Sequence, residues 1–305
     1  MPDPHDLRRY AVLDVFTNTP LGGSPLAVVV DGDALDADRM QAVAGEFNLS
    51  ETVFVLPPAN RIHRANIRIF TPRRELPFAG HPTVGAAVML GLVAARENRG
   101  RAEAMMVLEE KAGPVRCGVT VHGPNLGHAI FDVPQKPASL GEVPSVEAAA
   151  AALGLMPSEV GFENHTPSAF SAGLAFRFVP VRDLEVIGRA KPSAGWEAAF
   201  GPAGGAFLYC RETIASGTSF HARMFAPGFG IAEDPATGSA VAALAGVIQR
   251  FDAPPAGTHR FVVEQGIEMG RPSTMMLEMD IEEGAIAAAR IAGDAVVVAE
   301  GMLAI

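Results

Sequence analysis

The sequence predicts an α+β protein of two related lobes, each a curled sheet around a buried helix, and three observations carry that prediction. The first is the number of short runs rich in Val, Ile and Phe between Gly and Pro punctuation: YAVLDVF, LAVVV, TVFVLP, RANIRIF, AMMVLE, HAIFDVP, LAFRFVPV, GAFLYC, FHARMF, RFVVEQG, TMMLEMDI and AVVVAEG. The second is a pair of helical runs, from Pro82 to about Arg96 and from Pro235 to about Arg250, that are rich in Ala and Gly and apolar nearly all round. Such helices are buried on every side, as one threading a curled sheet is. The third is an internal repeat. HPTVGAAVMLG at 81–91 matches DPATGSAVAAL at 234–244, with Pro82 over Pro235, Gly85 over Gly238 and Val88 over Val241. Upstream, RIFTP at 68–72 matches RMFAP at 223–227. Tight packing of small residues explains a likeness of two helices; it does not explain the matched strand, loop, Pro and Gly before them.

The chain has 305 residues, more than one ordinary core accommodates and suited to two domains of about 150 residues. The proline-rich FDVPQKPASLGEVPS is the natural hinge. It divides the chain into a first lobe of residues 1–134 and a second of 135–292, with the last strand, 293–305, returning to the first lobe. Two further amphipathic runs, ADRMQAVAGEF and SVEAAAAALGL, read as helices.

Composition narrows the function. A formal net charge of −10 argues against a surface that neutralises nucleic-acid phosphates or docks on anionic lipid, leaving a small molecule as the expected partner. MPDPHDLRRY lacks the apolar core of a signal peptide, and the longest apolar runs are shorter than the roughly 20 residues of a membrane span, so a cytoplasmic location is expected. Cys117 and Cys210 read as buried core thiols. The eight histidines, among them His63, His122, His128, His165 and His221, show no HExxH or paired spacing, so no metal is expected, and solvent-facing or capping roles suit most of them.

The repeat also marks a site. In each half a strand ends in a proline turn, and a helix then opens with unsatisfied amides and a partial positive charge, a setting for an anion. Small residues, Gly80, Thr83, Gly85, Thr237, Gly238 and Ser239, leave the backbone open to close approach. Two such loops facing each other would hold a carboxylate between the halves. His81 precedes one helix, and Glu233 and Asp234 precede the other; Asp234 reads as an N-cap, a catalyst or both. Ser50 and Glu51 in NLSETVFV stand where a helix gives way to a strand. Glu51 is either a turn carboxylate facing water or an acid/base group whose pKa desolvation raises toward the operating pH. In EQGIEMGRPS, Glu264 and Arg271 suggest a polar link, and Gly266 and Gly270 mark turns or bulges.

YAVLDVFTNTPLGGSPLAVVV, NLSETVFV, RIFTPRRELPFAGHPTVGAA, GFGIAEDPATGSA and EQGIEMGRPS, in this order and across nearly the whole chain, resemble the PhzF-like phenazine-biosynthesis family. The resemblance implies a diaminopimelate-epimerase-like fold of two pseudo-symmetric lobes and a cofactor-free isomerase, expected as a homodimer. By the same resemblance Glu51 would move a proton between two carbons of a cyclohexadiene acid such as trans-2,3-dihydro-3-hydroxyanthranilate. His81, Asp234 and Ser239 would contact the substrate, and the backbone around Gly80 and Gly238 would bind its carboxylate, with Ser50 and Thr237 beside them. The family's usual Gly-Asn-Pro stands here as Gly23-Ser24-Pro25, which replaces a ligand-shaping amide by a hydroxyl. Related racemases use two cysteines in the equivalent loops. AGHPT and EDPATGS contain none, which disfavours two-thiol chemistry. Two other readings are a carboxylate-binding protein without turnover and a racemase or epimerase using Glu51 and Asp234.

Overall fold

Alternating and continuous apolar runs become seventeen strands and six α-helices in the computed structural model, which describes residues 7–97, 103–202 and 204–305. The chain divides into unit 1, residues 1–134 and 292–305, and unit 2, residues 135–291.

Unit 1 runs β1 (Leu7–Val15), β2 (Ser24–Val29), α1 (Ala37–Phe47), β3 (Glu51–Leu56), β4 (Ala65–Phe70), β5 (Glu75–Leu76), α2 (Gly80–Glu97), β6 (Glu103–Glu110), β7 (Gly113–Val121) and β8 (Leu126–Asp132). Its strands close into a ring. β1–β2 is antiparallel, β2–β3 parallel, β3–β4 antiparallel, β4–β6 parallel, and β6–β7–β8 antiparallel. The eighth strand is the far half of β17 (Ala285–Ala304), which pairs with β8 on one side and antiparallel with β1 on the other, from Leu7 opposite Ala304 to Val15 opposite Ala295. Closure leaves no open edge in this ring. α2 fills its interior and is buried from Gly80 to Leu92. Glycine makes that fit: a Cβ on Gly85 would stand 2.4 Å from Leu26 Cδ2 and 2.9 Å from Val15 Cγ2. α1 covers the outside, packing Met40, Val43 and Ala44 on Val29, Phe54 and Phe70. It is capped by Asp36, whose carboxylate accepts from the Arg39 amide, and ends at Asn48 in the left-handed region.

Unit 2 runs β9 (Ala138–Ser139), α3 (Val146–Leu153), β10 (Ser168–Ser171), β11 (Ala175–Pro180), α4 (Leu184–Arg189), α5 (Trp196–Phe200), β12 (Ala206–Cys210), β13 (Phe220–Ala226), β14 (Ile231–Asp234), α6 (Gly238–Phe251), β15 (Gly257–Gln265), β16 (Ser273–Glu282) and the near half of β17. α6 is its buried helix, with Gly246 accommodating the Phe170 ring, and it packs on β9, β10, β11 and β16. The pairing pattern repeats that of unit 1. β11–β12 is parallel, β12–β13 and β13–β14 antiparallel, β13–β15 parallel, and β15–β16 antiparallel.

The repeat goes deeper than the motifs that announce it, at an offset of 155 residues for the arginines (223 − 68) and 158 for their glutamates (233 − 75). Arg68 of β4 grips Glu75 of β5 through Nε and a terminal nitrogen, and Arg223 of β13 grips Glu233 of β14 in the same way. Each guanidinium also lies over the ring two residues on, 5.1 Å from Phe70 and 4.7 Å from Phe225. Glu109 accepts from the amides of Ala59 and Asn60 and from His63 Nδ1; Glu264 accepts from those of Ile214 and Ala215 and from His221 Nδ1. The shared residues in RIFTP and RMFAP are thus a matched hairpin clamp.

Three expectations need correction. The second buried helix starts at Gly238, because Pro235–Thr237 is held as a non-helical loop. Glu233, read as standing free before the helix, is held in the Arg223 clamp. Glu264 links to His221 and the 214–215 loop, where a bond to Arg271 was expected. Gly266 and Gly270 do mark a turn, with φ of +76° and +69°.

Candidate active site

In unit 1 the Glu51 carboxyl is positioned by strand parity. Leu26 of β2 points at α2 and stands in register with Glu51 of parallel β3, so Glu51 also faces the interior, at the end of the barrel where α2 begins. The Asn48 turn that ends α1 delivers Ser50 and Glu51 to that position. Burial pushes the Glu51 carboxyl up to about 7, against the opposing pull of a hydrogen bond from Ser50. The side chain keeps 14% exposure, and its Oε2 lies 3.2 Å from His81 Nε2. The imidazole is close but poorly aligned for a hydrogen bond, a contact that substrate binding can tighten. His81 is the second residue of α2 and is 5% exposed. Pro82 has no amide hydrogen and the Thr83 amide bonds to Ala79, so the Gly80 amide is a donor that the helix itself does not satisfy.

In unit 2 the corresponding end of the buried helix is a polar relay. Thr237 occupies the N-cap position of α6, and its hydroxyl donates to Asp234 Oδ2 at 2.6 Å. Asp234 therefore accepts from the capping residue and is not itself the cap. Gln265, fully buried at the end of β15, donates through Nε2 to Thr237 Oγ1 at 3.1 Å and to the Asp234 carbonyl at 2.7 Å, while its Oε1 accepts from the Thr237 amide at 3.3 Å. Gly238 is buried and Ser239 half-buried in the first turn that follows. Gln265 is the residue that sequence reasoning missed. Its signal was the EQG turn: a Cβ on Gly266 would stand 2.6 Å from the Pro235 carbonyl, so the backbone there passes directly against the Asp234 loop.

The structure therefore gathers Ser50, Glu51, Gly80 and His81 in unit 1, and Asp234, Thr237, Gly238 and Ser239 in unit 2. Cys117 and Cys210 are fully buried; burial drives both thiols upward, Cys210 to about 12, and neither serves as a thiolate base. His165 and His221 overturn the expectation of solvent-facing roles. His165 bonds to Tyr209 and Asp252, and His221 lies between Glu264 and Glu268, both at 2.9 Å. Among the described residues, Glu163, His165 and Asp252 could present three ligand atoms to a metal. The Arg211 guanidinium bonds to Asp252 and approaches Glu163 and His165 Nε2, so a fixed cation already neutralises that cluster.

A buried carboxyl pushed up toward neutrality by desolvation, an imidazole 3.2 Å from it and a helix N-terminus with an unsatisfied amide are groups suited to acid/base chemistry, here on an α+β fold. Residues 13–301 match the family model described as phenazine biosynthesis-like protein (PhzC-PhzF). The chain is 50% identical to a protein of Mesorhizobium japonicum named uncharacterized isomerase, covering 97% of this chain and 98% of that one. It is 34% identical to the trans-2,3-dihydro-3-hydroxyanthranilate isomerase of Pseudomonas aeruginosa, over 97% and 99%. A solved phenazine biosynthesis protein of the PhzF family from Bacillus anthracis superposes with a TM-score of 0.84 at 27% identity, over 97% and 99%. This chain belongs to the phenazine biosynthesis-like family, is an isomerase, and has the diaminopimelate-epimerase-like fold.

Proposed function

We propose that the chain catalyses a cofactor-independent proton shift on a small carboxylated ring, with trans-2,3-dihydro-3-hydroxyanthranilate or a close analogue as substrate and phenazine biosynthesis as one setting. The observation that carries this reading is the buried Glu51 carboxyl 3.2 Å from His81 Nε2, which desolvation pushes up to about 7. As a carboxylate, Glu51 removes a proton from a ring carbon activated by the diene. As the resulting acid, it returns that proton to another carbon of the same π system. His81 hydrogen-bonds the carboxyl and orients it between the two positions. The Gly80 and Gly238 amides hold the substrate carboxylate, with Ser50, Thr237 and Ser239 as further polar contacts. Asp234, oriented by Thr237, assists proton movement at the substrate's polar substituents. The relative named trans-2,3-dihydro-3-hydroxyanthranilate isomerase supports the substrate class.

We also infer a cytoplasmic homodimer. An acidic chain with two buried free thiols supports an intracellular setting, and no helix among the described residues is long and apolar enough to cross a membrane. Proton NMR in D2O with this substrate and a panel of cyclic and amino acids tests the reaction. Deuterium incorporation is expected in the wild type and lost in Glu51→Gln while binding persists. Exchange unaffected by that substitution would remove Glu51 as the base.

A further inference from the structure

Unit 1 contains a second buried carboxyl that the reaction does not use, that of Glu110 at the end of β6, 7% exposed. Its Oε1 lies 2.7 Å from Thr83 Oγ1, and its Oε2 is buried without a hydrogen-bond partner. Thr83 Oγ1 is also 2.8 Å from the carbonyl oxygen of Ala79. A threonine hydroxyl has one proton for these two neighbours. Given to a Glu110 carboxylate, that proton leaves the hydroxyl and the Ala79 carbonyl facing each other through lone pairs. Given to Ala79, it leaves the Glu110 contact to be closed by a proton on the carboxyl itself. Only the second arrangement makes both contacts hydrogen bonds. It also leaves a neutral carbonyl, and not a charged oxygen, as the buried group without a partner, which costs far less.

The repeat offers a parallel at one position. Glu110 and Gln265 are equivalent by the 155-residue offset (265 − 110), and each ends the strand that follows the buried helix. Gln265 is a neutral donor that hands a hydrogen to Thr237 Oγ1, and Thr237 hands its own to Asp234. Thr83 lies over Ala236 in the repeat and is not the mate of Thr237, so only the strand-end position carries over: there Gln265 donates to a threonine hydroxyl at the start of the buried helix, and Glu110 can donate to Thr83 only when it is protonated.

We infer that Glu110 is held as a neutral acid and serves as a positioning residue for the reaction, locking through Thr83 and Ala79 the turn that presents Gly80 and His81. This rests on the isomerase reading above. Burial pushes the Glu110 carboxyl up to about 8, against the Thr83 hydrogen bond. Around it, β7 contributes Cys117, a thiol raised first by burial and then by the Glu110 and Asp132 carboxylates. On β6 itself Glu109 is bonded to His63, and just beyond the strand Lys111 is bonded to Glu75; β4 contributes Arg68, also bonded to Glu75, and α2 contributes His81. None of these forms an ion pair with Glu110, so ionisation leaves an uncompensated buried charge and loosens the turn.

The experiment compares the full-length wild type, Glu110→Gln and Glu110→Ala by two readouts. One is the pH profile of kcat for deuterium exchange with trans-2,3-dihydro-3-hydroxyanthranilate. The other is infrared difference spectroscopy of the carboxyl stretch on the unliganded protein, with amide chemical shifts of Gly80 and His81. Wild-type kcat is expected to fall with a midpoint near 8. Glu110→Gln, which copies the repeat-mate, should keep the neutral-pH rate and lose that alkaline limb. Glu110→Ala should lose about tenfold at neutral pH, the scale of one positioning hydrogen bond. In a Glu51→Gln background, which removes the other carboxyl pushed up toward 7, a protonated-carboxyl band present at pH 7 and absent once Glu110→Gln is added is expected. Persistence of the alkaline limb in Glu110→Gln, or absence of that band, overturns the inference. If no substrate turns over, the isomerase reading fails separately. The band and the pH midpoint of the Gly80 and His81 shifts then still decide whether Glu110 is neutral and holds the turn.

Discussion

Replacing Glu51 by Gln should make the protein more stable, by an amount that depends on pH in a calculable way. In the unfolded chain Glu51 ionises near its ordinary value of 4.5, whereas in the folded barrel it ionises near 7. Its folded-state pKa is raised, so the neutral form contributes stability that is fully present below 4.5 and lost as pH rises toward and through 7. The difference of about 2.5 units, at 1.36 kcal/mol each, means that folding an ionised Glu51 costs about 3 kcal/mol at pH 8. Glutamine has the same shape and no charge to bury. Urea unfolding of both proteins at a series of pH values should give nearly equal stabilities at pH 4.5. The gap should widen between pH 4.5 and 7 and reach a plateau of about 3 kcal/mol in favour of the variant above that range. Glu110 titrates in both proteins and cancels in the difference. A gap that is flat with pH would refute the desolvation argument, and with it the physical basis for using Glu51 as a base near neutrality.

Other consequences are as direct. Thr237→Val keeps the shape of the side chain but strips Asp234 of a donor and Gln265 of an acceptor; it should cost about 1–3 kcal/mol in urea unfolding and slow deuterium exchange. Arg223 is 8% exposed and also donates to the carbonyls of Ile187, Gly188 and Ala190, so Arg223→Met should cost about 3–5 kcal/mol. Its repeat-mate Arg68, half-buried, should cost about 1 kcal/mol as Arg68→Met, and equal losses would contradict the burial argument. Gly85→Ala would force a methyl against Leu26 and Val15 and should cost about 1–3 kcal/mol by thermal or urea unfolding.

The family, the α+β class and the buried helices were legible because their signals are local. Ala/Gly runs that are apolar all round, and strand-length runs between Gly and Pro, need no partner to be recognised. The 155-residue repeat was legible only where its side chains are alike on both copies, as in Arg68-Ile-Phe and Arg223-Met-Phe. Glu109 and the equivalence of Glu264 to it escaped notice because EEKAG and EQGIE share little as strings, and their meaning lies in loop amides some 49 to 50 residues away. Gln265 was hidden for the same reason: its partners Asp234 and Thr237 are distant in sequence, and an amide in a strand carries no periodic signal. His165 and His221 were misread because a histidine's burial depends on which carboxylates the fold brings to it, here Asp252, Glu264 and Glu268. The burial of Glu51 could be argued only as one of two outcomes, since parity along β3 decides its side and only the pairing with β2 fixes that parity.

The twenty-residue strand β17 has a consequence for synthesis. Val15 is among the first described residues to leave a ribosome, yet its partner Ala295 emerges after the whole of unit 2. Until then β1 and β8 present two unpaired edges, the kind of surface that recruits other chains. Unit 2 can begin to pack while translation continues, whereas unit 1 must wait, and a chain stopped near residue 291 should be captured by chaperones or aggregate through those edges. The barrel that carries Glu51 and His81 is therefore sealed late, after every strand of unit 2 has been made.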